Sequence, residues 1–183
     1  MSDPLTAAAF AMHLAACVAQ DGSIADAPSS RVIAHAIAES RLHPLALHDN
    51  ATNREYDFAT PAEAVAKAQQ LVAQGHGVDA GVMQVDDANW RAYGLTVATV
   101  FDPRTNICAG ANILAEAFAI ERRAACRYNT GRPTCQAAYP EAVDRAEAKI
   151  AGGPLPASPP PPNPYAAPIV AFQRFPQLEQ LVR

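Results

Sequence analysis

A glutamate stands near the end of an apolar helical pattern, in the stretch IAESRLHP at residues 37–44. If Val32 is set at zero and each residue turns a helix by about 100°, Glu39 falls at about −20°, at the edge of the apolar arc. A carboxyl group half buried there has its charged form disfavoured, so we expect its pKa to rise. Such a glutamate can give a proton to a leaving oxygen. The alternative is a carboxylate at the rim, paired with Arg31 or Arg41.

The helix that carries Glu39 is predicted from the stretch PSSRVIAHAIAESRL. Ser29 or Ser30 is the candidate N-cap, because a side-chain oxygen there can accept a hydrogen bond from the first turn. The helix is expected to end near Leu42, since the residue before Pro44 is driven away from helical backbone angles. Glu39 therefore belongs to the last turn of this helix.

Other segments also show helical spacing or helix boundary signals. Thr60, Pro61 and Glu63 form a capping pattern, and Asp102 with Pro103 starts the longest apolar stripe. The stretch ATNREYDFAT predicts a short hairpin or irregular loop, and GVDAGVMQV predicts a glycine-punctuated extended segment. The remaining predicted helices cover residues 5–20, 60–75, 86–94 and 102–126, and residues 133–150 form the last helix or two.

The composition favours one globular domain with a tail. The chain has 183 residues, of which 50% are hydrophobic and 17% charged, and its net charge is −4. We expect no nucleic-acid partner, because the chain has no basic cluster. No apolar run reaches the roughly 20 residues of a transmembrane helix, so none is expected. The first 16 residues contain no Lys or Arg, which favours a first helix carrying Cys17 over a signal peptide.

Three regions are predicted along the chain. Residues 1–150 form the domain, and residues 151–168 form a proline-rich linker of the kind that adopts extended polyproline. Residues 169–183 are a short amphipathic segment. We expect that segment to dock on a partner, to fold back on the domain, or to be simply mobile.

The four cysteines allow three disulfide pairings. No CxxC spacing indicates zinc, and an even count in an oxidising compartment favours disulfides. We favour a bond between Cys126 and Cys135 and another between Cys17 and Cys108. Buried free thiols are the alternative.

Four short motifs occur in a fixed order: ES at the end of a helix, then GVMQV, NICAGANIL and RYNTG. In this order they resemble the soluble lytic transglycosylase family. The stretches HPLALHDN, GVDAGVMQV and VFDPRTNICAGANIL are similar, more narrowly, to the specialised transglycosylases of type IV secretion and conjugation systems. The resemblance covers roughly residues 28–145.

The resemblance implies a mainly α (α+β), lysozyme-like fold, with a small β-hairpin or extended segment beside the cleft. It also implies cleavage of the β-1,4 bond between N-acetylmuramic acid and N-acetylglucosamine in peptidoglycan. Glu39 would act as the catalytic acid and then base, giving a 1,6-anhydro product and opening the wall locally for a secretion or conjugation apparatus. No cofactor and no metal would be needed. The protein would be periplasmic or exported, with peptidoglycan strands as substrate and secretion components as partners, through residues 169–183.

The resemblance also implies a set of substrate-binding positions. Gly81 would let the chain approach the sugar, Met83 would form an apolar cleft wall, and Gln84 would offer an amide to hydroxyl or acetamido groups. The full set is Ser40, Gly81, Met83, Gln84, Asn106, Tyr128 and Asn129. Ser40 could instead fill the core, Met83 could be buried, and Asn106 could cap its helix.

Other interpretations stay open at this level. A carboxylate among Asp49, Asp79, Asp86 and Asp87 could activate water, which would make the protein a hydrolytic muramidase. An inactive peptidoglycan-binding assembly factor is a second alternative. A metal site is a third, and its candidate ligands are His43, His48, Asp49 and His76.

Overall fold

A computed structural model describes residues 3–120 and 124–152. It is mainly helical, with one small antiparallel sheet. The helices are α1 (Ala7–Gln20), α2 (Ser29–Ser40), α3 (Pro61–Ala73), α4 (Asp87–Trp90), α5 (Pro103–Ile120), α6 (Ala125–Thr130) and α7 (Ala138–Ile150). The strands are β1 (Leu47–Asp49), β2 (Arg54–Tyr56), β3 (Val78–Ala80) and β4 (Val85–Asp86). This architecture confirms the predicted mainly α fold with β structure.

Helix α1 packs against α5, the longest helix, around a core that includes Phe10, Leu14 and Leu114. A disulfide joins Cys17 of α1 to Cys108 of α5 across 91 residues of chain. A second disulfide joins Cys126 to Cys135. The two bonds connect the pairs that the sequence favours.

Helix α7 lies antiparallel along α2. At one end of the pair, the Arg31 guanidinium of α2 binds the carboxylates of Asp144 and Glu147 at 2.6 and 2.7 Å. At the other end, Glu39 of α2 meets Tyr139 of α7. The contact therefore holds both ends of α2 and sets the position of its last turn.

The sheet has the strand order β2-β1-β3-β4, and neighbouring strands pair antiparallel. The sequence predicts a short hairpin or irregular loop at residues 51–60 and an extended segment at residues 77–85, and four strands form. Strand β1 lies before the predicted hairpin stretch, and β2 lies within it. These strands are two or three residues long, so their alternation is too short to read from sequence alone.

The predicted boundaries of α2 and α5 are wrong in detail. Pro28, rather than Ser29 or Ser30, occupies the N-cap of α2. The structure describes α5 to Ile120, and Ala124 forms a turn before α6 begins at Ala125, so the predicted helix over residues 102–126 is not continuous. Helix α2 ends at Ser40, two residues before the expected end, because Arg41 turns into the left-handed region with φ 56°.

Two further helix starts agree with their sequence signals, whereas the predicted helix over residues 86–94 ends at Trp90 and the helical segment predicted over residues 133–150 begins at Ala138. The hydroxyl of Thr60 accepts from the Glu63 amide, and the Glu63 carboxylate accepts from the Thr60 amide. Asp102 accepts from the Thr105 amide at the start of α5. The predicted amphipathic segment at 169–183, and all but the first two residues of the predicted linker, lie outside the described residues. Within the described part of the chain, no helix has the length and apolarity to cross a membrane.

We predict that removing the Cys17–Cys108 bond, by changing both residues to alanine, costs more stability than removing the Cys126–Cys135 bond. The first bond closes a loop of 91 residues and the second a loop of 9. In the chain-entropy model the two losses differ by about 2 kcal/mol. Urea unfolding of the two double variants measures the difference, and equal losses would contradict the prediction.

Candidate active site

A pocket opens where the end of α2 meets the sheet, α5 and α6. Its lining is rich in carboxyl and amide groups, with two apolar side chains. The lining residues are Glu39, Asp79, Gln84, Val85, Asp86, Asn89, Ile113, Tyr128 and Asn129. Four of the predicted site residues are in this set: Glu39, Gln84, Tyr128 and Asn129.

Glu39 is one of three buried carboxyl groups that line the pocket, with Asp79 and Asp86. It is 8% exposed, so it lies deeper than the rim position that the helical projection indicates. The Tyr139 hydroxyl donates a short hydrogen bond to Glu39 Oε1. Arg31, the rim partner considered from sequence, binds Asp144 and Glu147. Glu39 is therefore seated by a neutral donor from a distant helix.

His35 continues this contact one turn earlier on α2. Its Nδ1 lies 2.9 Å from the Tyr139 hydroxyl, and its ring lies 4.9 Å from the Tyr128 ring. Burial, and then the charge of Arg31, lower the pKa of His35 to about 3. Burial, and then the charge of Glu39, raise the pKa of Tyr139 well above its usual value. Both side chains are therefore neutral at neutral pH.

Two further carboxyl groups face the pocket from the sheet. Asp79 of β3 pairs directly with Asp86 of β4, and cross-strand partners project from the same face. Both side chains are buried. Burial, then the charges of Asp86 and Glu39, raise the pKa of Asp79 well above its usual value. The pocket therefore concentrates acidic groups that oppose one another's ionisation.

The turn between β3 and β4 is held by side chains from two flanking helices. Ser40 of α2 donates to the Val82 carbonyl at 2.7 Å. Tyr128 of α6 donates to the Met83 carbonyl at 2.8 Å. The predicted sugar contact of Ser40 is thus replaced by a backbone contact in this structure. Tyr128 lines the pocket with its ring while its hydroxyl supports the turn.

Asn106 and Met83 lie behind the pocket wall, and both have 0% exposure. The side chain of Asn106 accepts from the Met83 amide at 2.7 Å and donates to the Ala80 carbonyl at 2.9 Å. Met83 packs so closely on α5 that a Cβ on Gly110 would lie 2.5 Å from the Met83 Cβ. The predictions that Met83 forms the cleft wall and that Asn106 contacts substrate are therefore corrected, since neither reaches the surface.

Gly81 and Gln84 define the two ends of this turn. Gly81 has φ +81°, and a Cβ there would lie 2.4 Å from Asn106 Nδ2 and 2.6 Å from the Val100 carbonyl oxygen. Gly81 thus permits close approach to α5 and its preceding loop rather than to a sugar. Gln84 has φ 46°, and its Nε2 donates to the Gly81 and Ala46 carbonyls. These two hydrogen bonds offset the strain of its left-handed backbone.

Sequence reasoning missed Tyr139 and Asn89, and it considered Asp79 and Asp86 only as rival bases. Tyr139 is 100 residues from Glu39, and a tyrosine at the start of a polar helix has no local signal of such a contact. A row of carboxylates across a sheet becomes visible only once strand register is known.

Two of the histidines considered as metal ligands, His76 and His43, lie beside carboxylates. His76 Nδ1 lies 3.0 Å from Asp49 Oδ1, and His43 Nδ1 lies 3.7 Å from Asp57 Oδ2. Among residues 3–120 and 124–152, no three His, Cys, Asp or Glu side chains come together as a metal site requires.

Comparison with known proteins shows which family the sequence matches. The profile of the family described as Transglycosylase SLT domain matches residues 17–150. Protein virB1 of Agrobacterium fabrum (strain C58) is 34% identical over 115 residues, which are 57% of this chain and 46% of that protein. Protein virB1 of Rhizobium radiobacter is 31% identical over 113 residues, 56% of this chain and 47% of that protein. The chain thus spans about half the length of these curated relatives. No solved structure matches significantly.

We predict that Gly81→Ala destabilises the fold by about 1–3 kcal/mol more than Gly75→Ala. Both glycines have φ near +80°, so both variants carry the same left-handed strain. Only at Gly81 does the new Cβ collide with Asn106 and Val100, whereas nothing lies within 4 Å at Gly75. Urea unfolding measures both variants, and equal destabilisation would refute the close approach.

His35 should make the fold sensitive to acid. Its pKa is about 3 in the folded protein, against 6.5 for the ordinary side chain. The unfolded chain therefore takes up a proton below about pH 6.5 that the folded protein refuses until about pH 3. The contribution of His35 to the free energy of unfolding is therefore fully present above pH 6.5. Below that pH it falls by up to about 1.4 kcal/mol per pH unit.

The test measures urea unfolding from pH 7 to pH 4 in wild type and in His35→Gln. We expect a shallower decline in His35→Gln, because glutamine does not titrate. Met12→Gln, at an exposed site on α1, removes no titratable group, so it is the matched control and should retain the wild-type slope. A wild-type slope in His35→Gln would rule out the buried neutral imidazole.

Proposed function

The chain belongs to the Transglycosylase SLT domain family, and from that premise we propose that it is a lytic transglycosylase. Its substrate would be the β-1,4 bond between N-acetylmuramic acid and N-acetylglucosamine in peptidoglycan. The observation that carries the proposal is Glu39, a buried carboxyl group that lines the pocket and accepts from Tyr139. A seated carboxyl group in a cleft is the group that acid–base cleavage of a glycosidic bond needs.

In the proposed reaction, Glu39 first gives its proton to the glycosidic oxygen, and the bond from that oxygen to C1 of the muramoyl residue breaks. Positive charge develops at C1. Glu39, now a carboxylate, then takes the proton of the muramoyl C6 hydroxyl as that oxygen bonds to C1. The ring closes as 1,6-anhydro-N-acetylmuramic acid, and Glu39 is again protonated. The substrate supplies its own nucleophile, so no enzyme carboxylate has to attack C1.

The burial of Glu39 suits both steps. Tyr139 donates to Oε1 in either protonation state, because its raised pKa keeps its own proton in place. Tyr139 thereby orients the carboxyl group through a neutral donor, which, unlike a cation, does not hold it permanently ionised. Asp86, which lines the same pocket, adds negative potential when it is ionised, and that potential favours the developing positive charge on the sugar.

Hydrolysis is the second candidate, because Asp79 and Asp86 line the same pocket as Glu39. A lytic water would need one of them as an ionised base. The raised pKa of Asp79 opposes this role, since a protonated carboxyl group cannot accept a proton. We therefore favour the internal C6 oxygen as the nucleophile, and the chemical form of the new sugar end distinguishes the two reactions.

Substrate contacts are proposed for the lining residues that retain polar atoms toward the pocket. Gln84 uses Nε2 on two backbone carbonyls, which leaves its Oε1 to accept from an acetamido N–H or a hydroxyl. Asn129 lies beside Tyr128 on the same wall and can bind a second sugar group.

We also propose that the protein acts outside the cytoplasm, where peptidoglycan lies and where disulfides persist. The two disulfides agree with that location. A role in opening the wall for a secretion or conjugation apparatus follows from the motif resemblance and from the similarity to the virB1 proteins. Contacts with such an apparatus through residues 169–183 are part of this proposal.

We predict that Glu39→Gln lowers the rate of muropeptide release from purified sacculi by at least about 100-fold. The amide keeps the shape of the side chain and can accept from Tyr139, but it has no proton of suitable acidity to give. Mass spectrometry of the products should find 1,6-anhydro ends with the wild-type protein. Reducing ends would instead assign hydrolysis.

Glu63→Gln is the matched control, because Glu63 is an exposed capping residue on α3 and does not line the pocket. It should release muropeptides at the wild-type rate. If Glu39→Gln also did so while folding normally, Glu39 would not be the acid.

A further inference from the structure

Three polar side chains form a hydrogen-bonded chain beneath the pocket. The imidazole of His35, the hydroxyl of Tyr139 and the carboxyl group of Glu39 follow one another, and all three are buried. His35 and Glu39 are four residues apart on α2, so both face the same side of that helix. Tyr139 reaches between them from the start of α7.

The direction of these hydrogen bonds, that is, which group donates to which, depends on which nitrogen of His35 carries the proton. His35 Nε2 is buried and has no hydrogen-bond partner among the described residues. A proton on Nε2 would therefore be an orphaned buried donor, which folded proteins almost never tolerate, whereas an unused lone pair is more common. The proton therefore belongs on Nδ1, where it points at the Tyr139 oxygen 2.9 Å away.

A hydroxyl group has one proton to give and can accept at its oxygen. If Nδ1–H of His35 donates to the Tyr139 oxygen, the Tyr139 proton cannot point back at His35. It is then directed to the remaining neighbour, which is Oε1 of Glu39. The imidazole thus acts on the carboxyl group through the tyrosine.

We propose that His35 is a positioning residue, which holds Tyr139 as a permanent donor to Glu39 Oε1 and so restricts the transferable proton to Glu39 Oε2. This inference rests on the proposed acid–base role of Glu39 and adds which oxygen of the carboxyl group performs it. A proton on Oε1 would face the Tyr139 proton, so the acid form carries its proton on Oε2. The same oxygen then takes the C6 hydroxyl proton.

Charged groups around these three hydrogen-bonded side chains keep the imidazole of His35 neutral. Arg31 lies one turn before His35 on α2, and its charge opposes protonation of the imidazole. Asp144 and Glu147 of α7 hold that guanidinium in place at 2.6 and 2.7 Å. From α6, Tyr128 presents a neutral ring 4.9 Å from the imidazole. His35 therefore keeps a single ring proton across the neutral pH range.

The first test reads the tautomer directly and needs no activity. Two-bond ¹H–¹⁵N correlation spectra of histidine-labelled protein distinguish a protonated Nδ1 from a protonated Nε2. We expect His35 to be neutral with the proton on Nδ1 from pH 5 to pH 8. A neutral ring protonated on Nε2, or a doubly protonated ring, would overturn the proposal even if the protein proved to be an active transglycosylase.

The second test measures muropeptide release by His35→Leu and His35→Asn over a range of pH. Leucine removes the donor, so the Tyr139 hydroxyl can rotate away. We expect kcat to fall about tenfold at unchanged KM, because the Glu39 carboxylate loses one hydrogen bond, from Tyr139. The alkaline limb of the profile should also move to higher pH, because a carboxylate that loses a donor ionises less readily. Asparagine offers an N–H near the Nδ1 position and should restore most of kcat and the wild-type profile.

Val143→Ala is the matched control, because Val143 is fully buried in the same α2–α7 cluster but is not part of the hydrogen-bonded chain. It should lower the melting temperature without changing the pH profile. If His35→Leu merely matched this control, or if His35→Asn failed to differ from His35→Leu, the positioning role would be refuted. An inactive wild-type protein would instead refute the proposed function, and the tautomer measurement would still decide the hydrogen-bond direction.

Discussion

A carboxyl group that is 8% exposed must receive its hydrogen bonds from the protein, and this requirement connects the main parts of the structure. Glu39 receives a donor from Tyr139, which lies on the other side of an interhelical contact. That contact exists because α7 lies along α2, held at its far end by Arg31 between Asp144 and Glu147. The orientation of the Glu39 carboxyl group therefore depends on how α2 and α7 pack.

The second requirement is a rigid wall opposite Glu39, and the turn between β3 and β4 supplies it. Such a short turn has many backbone polar groups and few of its own partners, so side chains from three helices supply them. Ser40, Asn106 and Tyr128 each bond to the backbone between Ala80 and Met83. These three motif residues therefore fix the shape of the pocket. Only the motif residues that line the pocket surface can also contact a ligand.

The electrostatic character of the pocket follows from the same packing. Strand register puts Asp79 beside Asp86, and the end of α2 brings Glu39 to the same cavity. Buried acidic groups at close range cannot all ionise, so Asp79 is driven toward its neutral form. The neutral imidazole and phenol beneath Glu39 add donors without adding charge. The site is therefore arranged for proton transfer with little fixed positive charge.

Local chemistry along the chain was sufficient to predict the helices with strong boundary signals, such as α3 with its Thr60 cap and α5 with Asp102. The amphipathic pattern also predicted Glu39 near the buried face of α2, and motif order predicted the family. The pairing of the short strands, the turn at Ala124, the burial of Met83 and Asn106, and the contact of Tyr139 with Glu39 were decided by tertiary structure. Caps and helical stripes depend on neighbours three or four residues away, whereas the solvent exposure of a side chain and its hydrogen-bond partner depend on segments up to 100 residues apart.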